Sequence, residues 1–311
     1  MAKPSIAVIM GGRSAEREIS LQTGEGVLSA LRSLGYDAWP LDYNESFVDV
    51  LQHRRPGAAF NALHGGAGED GTVAALLEWM SIPYQGSAVR ASAVAMDKWM
   101  SKALMFVEQI PVPRGVRLSY DASLGFDVAR EFGLPCVVKP VTEGSAVGVS
   151  IVRAQSEWLS ALERAAGQGS HGPVLVEEYI AGREFTVAVL EREALPLVEI
   201  TPHDSFYTYF AKYTAGGSTH TVPARVEPAV AQQMRGLALR LHDALGCRDY
   251  SRVDIMLDQT GRLAVLECNT LPGLTPLSLF PDAARAAGIP YETLVERLIL
   301  CALARSAPPA T

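Results

Sequence analysis

Two apolar segments near the C-terminal end, Ser251-Arg252-Val253-Asp254-Ile255-Met256-Leu257 and Leu266-Glu267-Cys268-Asn269-Thr270-Leu271-Pro272-Gly273, flank the turn-forming Asp258-Gln259-Thr260-Gly261. Such runs on either side of a turn predict a β-hairpin. Residues two apart share a strand face, so Arg252 lies with Asp254, and Glu267 with Asn269. A tight loop of even length sets Arg252 opposite Glu267, with Asp254 diagonal to it on the same face. Two carboxylates, an amide oxygen and a guanidinium then crowd one small surface. Hard oxygen donors of this kind suit Mg²⁺ bridging to phosphates. The plainer alternative is an ion-paired hairpin, since surface pairs are common and weak. Cys268 falls between Glu267 and Asn269 and so points to the opposite, buried face.

The chain has 311 residues, enough for two or three packed units. Its net charge of −7 argues against nucleic acid as a partner, which requires a basic footprint. Four cysteines without a CxxC pair fit a reducing compartment. The N-terminal apolar run, Ile6 to Met10, is too short for a signal peptide, and no stretch is long and apolar enough to span a bilayer. A cytoplasmic protein without membrane partners is expected. Only five lysines (Lys3, Lys98, Lys102, Lys139, Lys212) stand against 22 arginines. Lysine retained in so arginine-rich a chain suggests places where a compact ammonium is needed. Chance retention is the alternative for any one of them.

The first third alternates strand and helix patterns: Ile6 to Met10, helix Glu16 to Leu34 closed by Gly35, Asp37 to Leu41, Ala58 to Leu63, helix Thr72 to Met80. This predicts an α/β unit with a parallel sheet over residues 1–90. No GxGxxG follows the first strand, which disfavours a nicotinamide site. A second unit, 91–173, opens with one helix from about Ser92 that carries Lys98 and Lys102 and ends before Pro111. A strand through Lys139, a glycine-rich loop, Val149 to Val152 and a helix to Ala165 follow. The third unit, 174–311, consists mainly of hairpins plus the helix Glu227 to Leu245. Residues 306–311 read as a disordered tail.

Several segments carry chemistry. Thr142-Glu143-Gly144-Ser145-Ala146-Val147-Gly148 joins two strands, and its backbone N–H groups can cradle phosphate oxygens. It is not a Walker A loop, and an ordinary hairpin turn is the alternative; Lys139 just before it favours the phosphate reading. Val174 to Ile180 is a strand ending in Glu177-Glu178. Either carboxylate can take hydrogen bonds from a ribose, with Ile180 against an adenine, unless this is simply a charged edge. His64 stands at a strand end before the mobile Gly65-Gly66-Ala67-Gly68-Glu69-Asp70-Gly71. Glu16 opens a helix where α/β sheets bind ligands, although a helix-capping carboxylate is equally natural. Phe206 to Thr214 is an aromatic loop around Lys212 that can close over a site and exclude water.

In this order, these segments resemble the D-alanine–D-alanine ligases of the ATP-grasp superfamily, from about Ile6 to Leu300. The resemblance implies a mixed fold, α/β and in part α+β: an N-terminal parallel-sheet domain followed by two ATP-clasping α+β domains. It implies ATP-dependent joining of two D-alanines through an acyl phosphate and a tetrahedral intermediate, for peptidoglycan precursors. Lys98, Lys139, Glu143, Gly144 and Ser145 would meet the phosphates, with Lys212 also on the nucleotide side. Glu177, Glu178 (through its backbone), Ile180 and Glu184 would hold adenine and ribose. Asp254, Glu267 and Asn269 would bind two Mg²⁺ or Mn²⁺ ions. Glu16, with His64 nearby, would hold the first D-alanine, and Arg252 and the Gly273 backbone would stabilise developing negative charge. Ser145 and Tyr213 would link with Glu16 to keep the aromatic loop closed. Lys212, Ser278 and Leu279 would place the second D-alanine. A homodimer is the family's habit.

Some positions depart from the family's commoner pattern. Ala146 stands where many relatives have serine, Glu178 where some have lysine, and Leu271 and Pro276-Leu277 also vary. None removes an expected catalytic group. The alternatives are a D-alanyl–D-lactate ligase, which Tyr213 disfavours, a more distant ATP-grasp carboxylate–amine ligase, and a non-enzymatic nucleotide-binding regulator.

Overall fold

In the computed structural model, residues 3–119, 127–167, 172–202, 217–276 and 278–305 are described. Strands β1 (Ser5–Met10), β2 (Asp37–Asp42) and β3 (Ala58–Asn61) form a parallel sheet in the order β2-β1-β3. Helices α1 (Arg17–Ser33), α2 (Phe47–Arg54) and α3 (Thr72–Trp79) cover it. The unbroken apolar run of β1 is explained by burial on both faces. Ile6, Val8 and Met10 pack with Val27 and Leu31 of α1, whereas Ala7 and Ile9 pack with Phe47, Leu51, Val73 and Leu77.

Helices α4 (Val89–Met96) and α5 (Lys98–Val107) follow. The single helix expected here is two, because Asp97 is extended and its side chain accepts from the Met100 N–H at 2.9 Å. Asp97 is thus the N-cap of a new helix, and Lys98 is its first residue. Helix α5 packs on the C-terminal sheet, with Met105 in one cluster with Phe185, Val253 and Ile255.

An antiparallel sheet of order β4-β7-β5-β6 comprises β4 (Gly115–Leu118), β5 (Cys136–Pro140), β6 (Ser150–Val152) and β7 (Val174–Glu178). Short α6 (Asp127–Arg130) and α7 (Trp158–Ala166) complete this region. Trp158, Ala161, Leu162 and Ala165 of α7 pack on Cys136, Val138 and Val176.

The third sheet has the order β11-β10-β8-β12-β13, with β9 (Glu193–Ala194) also pairing with β8. Its other strands are β8 (Gly182–Leu190), β10 (Val198–Pro202), β11 (Ser218–Thr221), β12 (Tyr250–Asp258) and β13 (Leu263–Asn269). Period-two alternation divides β8: Phe185, Val187 and Val189 pack against α8 (Pro228–Leu245), while Ala188 and Leu190 face the other way. There they join a core with Phe280 of α9 (Leu279–Ala286) and Leu294 and Leu298 of α10 (Tyr291–Arg305). The same core holds Ile6, Val8 and Phe60, so the end of the chain packs on the first sheet.

The β12–β13 hairpin forms, but not in the expected register. Leu257 pairs with Leu263, leaving five residues in the loop, and an odd loop alone would set Arg252 opposite Cys268. A β-bulge between Asp254 and Ile255 inserts Leu266 as an extra residue on β13. Beyond it, Asp254 faces Glu267 and Arg252 faces Asn269. The core-facing residues of β13 accordingly switch parity, from Leu263 and Val265 to Cys268. Arg252 is therefore opposite Asn269 rather than Glu267, yet all four polar side chains share one face.

Glu178, at the end of β7, ties two sheets together. It accepts from the Arg114 N–H and Nε at 2.9 and 3.0 Å, and from Arg262 Nη2 of the β12–β13 loop at 2.6 Å. Burial opposes its ionisation, but the Arg262 and Arg114 hydrogen bonds outweigh it and hold the carboxyl at about 2. Because the folded value lies below the unfolded one, this stability is complete above the ordinary carboxylate range and is lost as pH falls through about 2. Glu178→Ala is expected to cost about 1–2 kcal/mol at pH 7. Thermal melts of both proteins should show that difference shrinking as pH drops below about 4.5.

Candidate active site

On the polar face of the hairpin, Arg252 Nε and Nη2 donate to the two carboxylate oxygens of Asp254, each at 3.0 Å. Thr186 of β8, directly across from Asp254, adds a hydrogen bond at 2.6 Å. This fork and hydroxyl fix the orientation of a carboxylate that is only 5% exposed. Glu267 and Asn269 flank it on β13, and Asn269 Oδ1 also accepts from the Leu271 N–H at 2.9 Å. Lys98 Nζ lies 3.8 Å from Glu267 Oε2 and donates to the Glu143 carbonyl. Among the described residues no three His, Cys, Asp or Glu side chains form a complete metal cage. Two carboxylates and one amide oxygen instead fit a hard divalent ion that takes its remaining oxygens from phosphate or water.

The glycine-rich loop spans the gap between β5 and β6. Ser145 and Ala146 have φ of 49° and 59°, a conformation costing roughly 1–2 kcal/mol per non-glycine residue. Strain of this kind persists only where surrounding contacts impose it. One contact that holds the loop is a hydrogen bond of 2.6 Å from Ser145 Oγ to Glu16 Oε1, across 129 residues of chain. Gly148 is needed for close approach, since a Cβ there would lie 2.8 Å from Pro140 Cγ and 3.0 Å from the Arg164 carbonyl. Glu16 precedes α1 but makes no capping bond, so its carboxylate serves the loop and not the helix. A cleft of about 570 Å³ lies between these parts, lined by Ser14, Glu16, Gly65, Asp97, Glu143 and Gly144 among others.

His64 is buried behind Glu16. Its Nε2 is 2.9 Å from Thr23 Oγ1, and its backbone carbonyl accepts from Ser14 Oγ at 2.6 Å. Burial, with Arg252 assisting and Glu16 opposing, pushes the imidazole down to about 4, so the ring is neutral at pH 7. Gly273 approaches it closely: a Cβ there would lie 3.1 Å from His64 Cε1 and 3.2 Å from Ser278 Oγ. Ser278 bonds to Thr275 at the start of α9, and Leu279 is buried beside it. Burial also pushes Glu69 up to about 7, against the Gly65 N–H that donates to it at 2.8 Å.

On the facing sheet, Lys139 Nζ is 2.6 Å from Glu177 Oε2 and Lys102 Nζ is 2.7 Å from Oε1. Glu177, expected at adenine or ribose, is enclosed between these two ammonium groups and only 2% exposed. Ile180 is buried, and Glu184 lies on the same face of β8 as Thr186. The Glu178 side chain is held by Arg114 and Arg262, and its backbone N–H donates to the Arg114 carbonyl at 2.9 Å. Lys212 and Tyr213, with the rest of the expected aromatic loop, lie outside the described residues. Sequence reasoning passed over Lys102, Glu69, Thr186 and Thr23 as site residues. Only the scarcity of lysine pointed to the first, and the Gly65 to Gly71 turn contained the second.

Because the folded value of His64 lies below the unfolded value near 6.5, the unfolded chain binds the extra proton first and stability falls as pH drops from 6.5 towards 4. Replacing the ring by glutamine is expected to remove about 1–2 kcal/mol of the stability loss between pH 7 and 5. Denaturant titrations of His64→Gln and the parent protein at both pH values measure it.

Residues 100–300 match the family model described as D-ala D-ala ligase C-terminus. The D-alanine–D-alanine ligase of Pelotomaculum thermopropionicum is 44% identical over 309 residues, covering 96% of both chains. That of Desulforudis audaxviator is 46% identical over 304 residues, covering 96% of this chain and 99% of its own. Among solved structures, the Bacillus anthracis D-alanine–D-alanine ligase complexed with ATP superposes with a TM-score of 0.85 at 34% identity, covering 97% of this chain and 98% of its own. The D-Ala:D-Ser ligase of Enterococcus faecalis reaches a TM-score of 0.80 at 27% identity, covering 96% and 99%. Matched by the family model over residues 100–300 and by relatives 44% and 46% identical over nearly its whole length, the chain belongs to the D-alanine–D-alanine ligase family of ATP-grasp enzymes.

Proposed function

We propose that the protein joins two D-alanines at the expense of ATP, yielding D-alanyl–D-alanine, ADP and phosphate for peptidoglycan precursors. The observation that carries this is the shared face of Arg252, Asp254, Glu267 and Asn269, with Lys98 reaching both Glu267 and the glycine loop. The 44% and 46% identities to D-alanine–D-alanine ligases, against 27% to the D-Ala:D-Ser ligase, favour D-alanine as the second substrate. The three units bounded near residues 90 and 173, the reducing cytoplasm and a homodimer belong to the same proposal.

The chemistry follows from a poor leaving group. Attack of an amine on a carboxylate would have to expel oxide, so the first D-alanine carboxylate takes the γ-phosphoryl group and becomes an acyl phosphate. The second amine, once deprotonated, attacks the acyl carbon, and the tetrahedral intermediate collapses with loss of phosphate. Lys98, Lys139 and the loop backbone hold the phosphates in place. Asp254, Glu267 and Asn269 would hold two Mg²⁺ ions, whose charge would offset that of the β- and γ-phosphates. Glu16 receives the ammonium of the first D-alanine, and neutral His64 packs beside it. Arg252 and the Gly273 N–H face the oxygen that becomes negative. Ser278 and Leu279, with Lys212, receive the second D-alanine. The Ser145–Glu16 bond holds the loop over the site and protects the acyl phosphate from water.

Phosphate release from MgATP, measured with D-alanine, L-alanine, D-serine, or D-alanine plus D-lactate, tests the assignment when products are weighed by mass spectrometry. Release that requires D-alanine and matches D-alanyl–D-alanine is expected. Turnover confined to another acid would keep the fold and replace the substrate. Arg252→Ala is expected to lower kcat by about a hundredfold or more while ATP affinity stays within about threefold. An unchanged kcat removes Arg252 from the mechanism.

A further inference from the structure

Lys102 is buried, and its ammonium lies against a carboxylate that already has a lysine partner. The side chains of Lys102, Glu177 and Lys139 are 7%, 2% and 9% exposed. One negative charge is thus shared between two positive ones, and the cluster carries a surplus of +1 away from water. An unpaired buried charge is costly and is retained only where something compensates it. Burial pushes Lys102 down to about 8, against the pull of Glu177, so it is charged at pH 7. Burial likewise opposes ionisation of Glu177, but Lys139 and Lys102 outweigh it and hold the carboxyl below its usual range.

Two of the three groups share one sheet, and the third comes from a helix outside it. Lys139 and Glu177 stand on paired strands β5 and β7, in register with Leu175 and Val137 respectively. Lys102 comes from α5, which is anchored in the other sheet's core through Met105. One turn earlier on the same helix face, Lys98 reaches Glu267 and the Glu143 carbonyl. The Lys102–Glu177 contact is short but off the hydrogen-bond direction, so its attraction is Coulombic.

We propose that Lys102 is a positioning residue of the nucleotide site: by occupying half of the Glu177 carboxylate it keeps the Lys139 charge available to an anionic nucleotide phosphate and joins α5 to the facing sheet. The proposal rests on the assignment of ATP to this site. Without Lys102, Glu177 and Lys139 form a neutral pair, and the nucleotide loses one unit of attraction. Removing the Glu177 charge as well restores it. A merely structural lysine gives no such recovery, since a second buried substitution would add to the damage.

The test is titration calorimetry of MgATP against the full chain, as the parent protein, Lys102→Met and the double variant Lys102→Met/Glu177→Gln. Lys102→Met is expected to raise the ATP Kd by about tenfold or more. The double variant is expected to return to within about threefold of the parent. At saturating ATP, the KM for D-alanine should stay within about threefold in both. Lys102→Gln, which also lacks the charge, provides the same comparison if the methionine variant does not fold. A single-variant Kd within about twofold of the parent overturns the proposal, as does a double variant weaker than the single. D-alanine-dependent phosphate release by the parent, assayed separately, keeps the ligase assignment standing in either of those cases. A parent chain that binds no MgATP overturns both.

Discussion

A single extra residue in β13 decides which side chains meet at the centre of this molecule. The five residues between the paired Leu257 and Leu263 would, in a regular ladder, turn Cys268 towards the site and bury Glu267 and Asn269. The bulge at Leu266 reverses the alternation, so the two carboxylates, the amide and Arg252 share a face while Cys268 joins Val253 and Ile255 in the core. Everything else in the site is positioned relative to that face. Thr186 and Arg252 hold Asp254 from β8 and β12, and Lys98 approaches Glu267 from α5.

Charge balance is the second organising constraint. Charged side chains of the site stand beside opposite charge: Asp254 with Arg252, Glu267 with Lys98, Glu177 with two lysines. Neutral His64 fits the same logic, because a buried imidazolium beside Arg252 would add a repelled charge. The left-handed backbone at Ser145 and Ala146 is tied to a residue outside the loop, the carboxylate of Glu16 at the start of α1. Closure of the loop therefore depends on the same residue that is assigned to the first substrate's ammonium.

Much of this was visible in the sequence because it follows from local patterns. The β1 run, the α1 stretch ending at Gly35, the hairpin and the glycine loop each have a periodicity or turn chemistry of their own. The register of β12 and β13 was not visible, since it depends on loop parity together with a bulge that has no residue signature at Leu266. The break at Asp97 was overlooked because Met96 and Trp99 continue the apolar pattern through it. The pairing of Glu177 was not visible for a tertiary reason: its two lysines lie 75 and 38 positions away in sequence. Lys102 sits among Ser101, Ala103 and Leu104, and only the fold shows that it is buried. Thr186 is an ordinary strand threonine until Asp254 is placed beside it.

The central claim is that this face and the lysines opposite it activate a carboxylate by phosphorylating it. The most direct measurement is oxygen transfer from D-alanine labelled with ¹⁸O in its carboxylate, turned over with unlabelled ATP in unlabelled water. An acyl phosphate requires one carboxylate oxygen to leave with the phosphoryl group, so the released phosphate should carry one ¹⁸O atom for each dipeptide formed. Phosphate without label, accompanied by dipeptide formation, would contradict the account, because the carboxylate oxygen would then never have been bonded to phosphorus.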